Sequence, residues 1–242
     1  MSSFTIRPRV VIIGSFDIGS KNFAEYAESN SADDLLRILQ KYESIPVKMR
    51  RRVKGHMDSI TQDILNDLYR CGKRLHMGVY NLRHSDEPGA MLDIQTRKNL
   101  FTHLETGREF WNMCAIFLIE QQYFSTYNPK GKKSAGTSAN VDAIKIAENL
   151  AAWLLLNYPD KEVIFFGAQY KTQILGAPDG LTKPQRKKWS IENAKRIFEL
   201  RKDEEALEMM KKGKKGGQKQ DDVSDALNQC QAWKYRCLIA DF

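Results

Sequence analysis

The sequence predicts a single α/β domain with a mixed central sheet flanked by helices, and three observations lead to it. An apolar run at 10–18 and an extended segment at 23–28 are joined by a glycine-containing turn, the pattern of a strand pair. Two further apolar runs, 115–120 and 162–166, bracket a helix-like stretch at 141–157, and strand, helix, strand in that order builds parallel strands into one sheet. The 242 residues, 42% of them hydrophobic, suffice for one substantial core.

Taken in order, the strand at 10–18 ends in Asp17 and returns through Gly19 into 23–28. Two amphipathic segments, 33–42 and 59–71, are separated by Pro46 and a basic cluster, so 29–75 is predicted as a helical insertion after the first hairpin, closed by a strand at 76–82. Residues 96–114 read as a helix leading into the strand 115–120, which carries Glu120 at its end. Residues 184–210 are helix-compatible until Lys211, Lys212, Gly213, Lys214, Lys215, Gly216 and Gly217 interrupt them as a basic loop. From Asp221 a last helix is predicted, with Val223, Ala226 and Leu227 able to pack. The expected organisation is one domain over 1–242, without repeats or long low-complexity tracts.

Three separated acidic elements, each beside an apolar segment, are the chemical signal: Asp17, Glu120 and the run Asp221, Asp222, Val223, Ser224, Asp225. Carboxylates that converge in this way can hold divalent cations that activate water and stabilise a leaving oxygen, the chemistry of phosphodiester cleavage. In the last run, the three-residue spacing puts Asp222 and Asp225 on one helix face, while Asp221 points elsewhere and reads as a helix cap or supporting charge.

The formal net charge of +8 favours an anionic partner, and its clustering favours nucleic acid. Lys21 and Asn22 directly follow the first carboxylate and could meet a phosphate near the cut, or simply form a polar turn. Lys48, Arg50, Arg51, Arg52 and Lys54 could hold a DNA arm outside the metal centre. Tyr123, Phe124 and Tyr127 precede Lys130, Lys132 and Lys133, a mixture suited to unstacked bases and phosphates, although core anchoring explains the aromatics equally well. Lys187, Lys188, Lys214 and Lys215 are further phosphate-contact candidates, whereas Trp189, Trp111 and Trp153 are better explained by packing.

Other chemistries lack their residues. Cys71, Cys114, Cys230 and Cys237 have no zinc-module or redox-dithiol spacing and read as reduced structural thiols. His56, His76, His84 and His103 form no local metal signature, and no serine nucleophile constellation can be placed. The N-terminus lacks a signal-peptide core and the apolar stretch 151–156 is too short to span a bilayer, so neither secretion nor membrane insertion is expected.

Three segments together, Ser15 to Asn22 around Asp17, Phe117 to Gln122 around Glu120, and Asp221 to Leu227, resemble in order the catalytic motifs of RuvC-type Holliday junction resolvases, most of all the poxvirus branch. The resemblance implies an RNase H-like fold, a homodimer, Mg²⁺ dependence and paired incision of four-way DNA. Residue by residue it makes Asp17 the first-strand carboxylate, Glu120 the central-strand one, and Asp222 with Asp225 the C-terminal helix pair. A poxvirus-like enzyme would work in cytoplasmic viral replication sites.

The expected chemistry uses two Mg²⁺ ions, with Mn²⁺ able to substitute. Asp17 would bridge them, Glu120 and Asp225 would complete the two sides, and Asp222 would bind metal or orient the attacking water, leaving 5′-phosphate and 3′-hydroxyl ends. A nucleotide cofactor is not expected, because Gly19, Ser20 and Lys21 do not end as a phosphate-binding P-loop does, and the sugar-kinase-like turn at Asp17 has no second glycine-rich partner. Two alternatives stay open: a general RNase H-like nuclease on RNA–DNA hybrids or other branched DNA, and a noncatalytic architectural DNA-binding protein.

Overall fold

The computed structural model describes residues 10–46, 49, 59–84, 92–122, 141–168, 170–212 and 220–237. Strand β1, Val10–Asp17, pairs antiparallel with β2, Phe23–Ser31, which pairs antiparallel with β3, Gly72–Tyr80. On its other side β1 pairs parallel with β4, Ile116–Gln121, and β4 pairs parallel with β5, Glu162–Gly167. The result is one mixed five-stranded sheet in the order β3-β2-β1-β4-β5. The hairpin turn needs its glycine: a Cβ on Gly19 would stand 2.8 Å from the Asn22 carbonyl oxygen.

Helices cover both faces. Helices α1, Ala32–Glu43, and α2, Ser59–Cys71, lie between β2 and β3; α3, Ile94–Thr106, and α4, Arg108–Met113, precede β4; α5, Val141–Asn157, connects β4 to β5. After β5 come α6, Tyr170–Gln173, α7, Lys183–Arg201, α8, Glu204–Lys212, and α9, Gln220–Tyr235. The two-residue alternation of β1 sends Ile13 into the core shared with α2, α7 and α9, and Phe16 into the core shared with α3, α4 and α5. Asp17 has the parity of Ile13, and Glu120 that of Leu118, so both carboxylates point to the α9 side.

The predicted α/β class and the RNase H-like sheet are observed, with local corrections. The helix expected over 96–114 is two helices, because the chain turns at Gly107, where a Cβ would approach Trp111 Nε1 to 2.6 Å. The helix-compatible stretch 184–210 also divides: α7 stops at Lys202, in the left-handed region at φ 56°, and the Asp203 carboxylate accepts from Ala206 N (3.1 Å) to start α8. The segment 29–75, expected as helical, gives 29–31 to β2 and 72–75 to β3. Lys73 and Arg74 disguised that strand; Lys73 is exposed on this edge strand, and Arg74 is accommodated by its ion pair with Asp203 at 2.7 Å. The basic loop expected at 211–217 has its first two residues inside α8, and 213–217 lie outside the described residues.

A buried ionic cluster ties α7 and α9 to β2. Glu28 is fully buried and meets Arg201 Nη1 at 2.8 Å and Lys234 Nζ at 2.5 Å, while Tyr26 Oη and Gln231 Nε2 each donate to it at 2.8 Å. Burial works against the Glu28 charge, but Arg201 and Lys234 outweigh it and hold the carboxyl far below its usual range. Such a cluster resists any shift of α9 along the sheet, because moving one member leaves the others charged and unpaired.

Candidate active site

The site forms where the C-terminal ends of β1 and β4 lie side by side under α9. The β1–β4 register pairs Phe16 with Ile119, so the next residues, Asp17 and Glu120, emerge as neighbours. Helix α9 is pinned over them by direct bonds: Ser15 Oγ donates to the Ala226 carbonyl (2.8 Å), and Gln229 Nε2 lies within 3.3 Å of Ser15 Oγ and of the carbonyls of Phe16 and Leu118. This anchoring brings Asp225 to the same place.

The three carboxylates meet at the ammonium of Lys171, from the short helix after β5. Lys171 Nζ stands 2.8 Å from Asp17 Oδ1, 2.7 Å from Glu120 Oε1 and 3.1 Å from Asp225 Oδ2. Lys171, Asp17 and Glu120 are all buried. The second oxygen of each flanking acid is also bound, Glu120 Oε2 by Gln122 Nε2 at 2.6 Å and Asp225 Oδ1 by Ser190 Oγ at 2.5 Å.

The electrostatics follow from burial and crowding. Burial, reinforced by the Glu120 carboxylate, raises the Asp17 carboxyl well above its ordinary value although Lys171 pulls the other way. At Glu120 burial again opposes charge, but the charge and hydrogen bond of Lys171 outweigh it and keep the carboxyl below its usual range. Burial likewise opposes the Lys171 ammonium, and Asp17, Glu120 and Asp225 together hold it firmly protonated. The cluster thus already collects a positive charge, and its donors are carboxylate oxygens, which suit hard divalent cations. Among the described residues no trio of acidic, histidine or cysteine side chains has metal-ligating spacing, and the contacts to Nζ exceed the roughly 2.0–2.1 Å of Mg²⁺–oxygen bonds.

Of the acids expected from sequence, Asp17, Glu120 and Asp225 come together, and Asp222 sits one turn earlier on α9. Asp221 instead ion-pairs with Lys187, and this hydrogen bond raises the Lys187 ammonium above its usual value. Lys188 is 80% exposed beside the site helix and Lys21 is exposed in the β1–β2 turn, with Asn22 half-buried behind it. Arg50, Arg51, Arg52, Lys130, Lys132, Lys133, Lys214 and Lys215 lie outside the described residues, as do Tyr123, Phe124 and Tyr127. Trp111 and Trp153 are buried and Trp189 packs against the core, as packing roles require. All four cysteines are free thiols, and no helix among the described residues is long and apolar enough to cross a membrane.

Lys171, Ser190 and Gln229 were not found by sequence reasoning. Only Lys171 had a readable signal: it follows the apolar strand 162–166 by a few residues, at the strand end where sites of parallel sheets gather. Arg83 was also missed; its Nε donates to Ser20 Oγ (3.0 Å), which sets a second cation against the β1–β2 turn.

No protein-family model matches the chain. Two viral proteins are similar in sequence. Uncharacterized protein 97L of Invertebrate iridescent virus 3 is 29% identical over 190 residues, covering 77% of this chain and 85% of that protein. Uncharacterized protein 170L of Invertebrate iridescent virus 6 is 29% identical over 253 aligned positions, covering 95% of this chain and 91% of that protein. Among solved structures, fowlpox virus resolvase with its substrate Holliday junction DNA aligns over 93% of this chain and 97% of its own, with TM-score 0.48 and 14% identity. The yeast mitochondrial Holliday junction resolvase Ydc2 aligns over 95% of this chain and 80% of its own, with TM-score 0.52 and 14% identity. The likeness is one of fold: this chain has the RuvC-type resolvase fold, an RNase H-like mixed sheet flanked by helices.

Proposed function

We propose that this protein is a divalent-cation-dependent endodeoxyribonuclease that resolves four-way DNA junctions by paired incisions, leaving 5′-phosphate and 3′-hydroxyl ends. The observation that carries the reading is the meeting of Asp17, Glu120 and Asp225 at one buried positive charge, on a fold shared with a Holliday junction resolvase. The surplus of carboxylate over ammonium supports a cation site, since three such acids repel one another unless more positive charge arrives.

Asp17, Glu120 and Asp225, with Asp222 one turn away, would hold Mg²⁺, with two ions per site and Mn²⁺ as a substitute. Bound there, the metal supplies an acidified water and offsets charge on the leaving 3′ oxygen. Asp17, whose carboxyl is raised above its ordinary value by burial, would ligate a cation as the carboxylate, so binding there would favour loss of its proton. Lys171, if displaced from the carboxylates by a cation, would be free to neutralise charge that develops on the phosphate. Gln122 holds Glu120 and Ser190 holds Asp225 in orientation. The net charge of +8 supports recognition through phosphate paths and branch geometry, with Lys21, Asn22, Lys187 and Lys188 the phosphate-contact candidates among the described residues. A homodimer would set two such sites against opposing strands of one junction.

The test is Mg²⁺-dependent cleavage of strand-labelled four-way junctions, with linear duplex and RNA–DNA hybrid controls and both cuts mapped. Symmetric ligatable incisions, lost in Asp17→Asn and Glu120→Gln, are expected. Preferential cleavage of hybrid would reassign the chain to an RNase H-like nuclease, and tight metal-independent junction binding without incision would make it architectural.

A further inference from the structure

Asp225 is the one member of the carboxylate cluster carried by a helix rather than a strand, and a buried polar chain runs to it through three helices. Tyr69 on α2 and Asn193 on α7 hydrogen-bond through the Tyr69 hydroxyl and Asn193 Nδ2 (3.3 Å). Asn193 Nδ2 also donates to Asn228 Oδ1 on α9 (2.9 Å), and Asn228 Nδ2 donates to Ser190 Oγ (2.8 Å) and to the Ser190 carbonyl (3.1 Å). Ser190 Oγ donates in turn to Asp225 Oδ1 at 2.5 Å. Ser190 is 1% exposed, and Tyr69 and Asn228 are fully buried, so the bonds among them are shielded from bulk water, while Asp225 at the end of the chain is partly exposed.

The donors are ordered. A serine hydroxyl has one proton, and because its oxygen already accepts from the Asn228 amide, that proton is left for Asp225. The bond takes up Oδ1 and turns Oδ2 toward Asp17, Glu120 and Lys171. We infer that Ser190, oriented by Asn228 and Asn193, is a positioning residue that presets the Asp225 carboxylate for cation binding. The inference rests on the reading of Asp17, Glu120 and Asp225 as a divalent-cation site. A carboxylate held in its bound orientation loses less freedom when a cation arrives, and partners of this kind typically contribute about 10–100-fold to metal affinity.

The test is a double-mutant cycle on the full chain without DNA, read by Mn²⁺ titration calorimetry and by the Mn²⁺-induced rise in Tm. Ser190→Ala is expected to weaken Mn²⁺ binding by roughly 10-fold or more, a loss read separately from the lower metal-free Tm that removing a buried hydrogen-bond partner brings. In an Asp225→Asn background the same change is expected to be silent, the double variant responding to Mn²⁺ as Asp225→Asn alone does, including not at all. Undiminished Mn²⁺ affinity in Ser190→Ala, or an equal loss in both backgrounds, would overturn the positioning role and leave the cation site standing. Failure of the unsubstituted protein to respond to Mn²⁺ would overturn both.

Discussion

Replacing Lys171 by Met removes the ammonium at which three carboxylates meet, and the cost can be worked from the contacts. The Asp17 and Glu120 oxygens touching Nζ at 2.8 and 2.7 Å are at most about 5.5 Å apart, the two contacts end to end; at an effective dielectric of about 20, two ionised groups there repel by about 3 kcal/mol. Asp225 adds to this. Buried ion pairs broken by loss of one partner cost about 3–5 kcal/mol. For a chain of this size that lowers Tm by roughly 6–20 °C. The sign with pH is fixed as well. Removing Lys171 takes away the charge that holds the Glu120 carboxyl below its usual range against burial, so the variant's fold binds a proton there more readily and its stability relative to the parent falls as pH rises. Thermal unfolding of Lys171→Met without divalent cations should therefore show a larger deficit at about pH 8 than at about pH 5, and added Mg²⁺ should recover part of it by replacing the lost charge. An unchanged Tm, or a deficit equal at both pH values, would refute the electrostatic reasoning.

Asp17→Asn should abolish junction cleavage yet leave the metal-free Tm above neutral pH unchanged or higher. Ionising Asp17 is unfavourable in the fold, so its charge weakens the metal-free protein as pH rises from the usual carboxylate range through the raised value, and a lower Tm would contradict this. The Mn²⁺-induced rise in Tm of the unsubstituted protein should itself shrink as pH is lowered, because Asp17 must deprotonate to bind; a pH-independent response would count against it. Glu28→Gln, far from the site, should cost about 3–5 kcal/mol by calorimetry near neutral pH. Its carboxyl is held low, so that contribution is present above the ordinary carboxylate range and declines as pH falls; a loss unchanged in acid would show that shape rather than charge is at stake.

Much of the fold was legible because it is written in local periodicity. The helices at 59–71 and 141–157 were read to their ends, since amphipathic spacing and flanking polar residues are properties of the segment itself. The breaks at Gly107 and Lys202 were not, because each depends on what the chain meets in space: the Trp111 ring in one case, and the Asp203 cap opening α8 in the other. The first four residues of β3 were missed for a related reason, as their strand character comes from pairing with β2 and not from an apolar pattern of their own.

At the site the division is sharper. Sequence alone determined which acids are available and which share a face, because Asp17 and Glu120 end apolar strands and the three-residue spacing of Asp222 and Asp225 is a helical repeat. Tertiary structure alone decided that Asp17, Glu120 and Asp225 share one point, that Asp221 turns to Lys187, and that Lys171 and Ser190 complete the setting. Those contacts join residues up to 154 positions apart, from Asp17 to Lys171, and are made by strand register and by the anchoring of α9; no local pattern encodes a distance across a sheet.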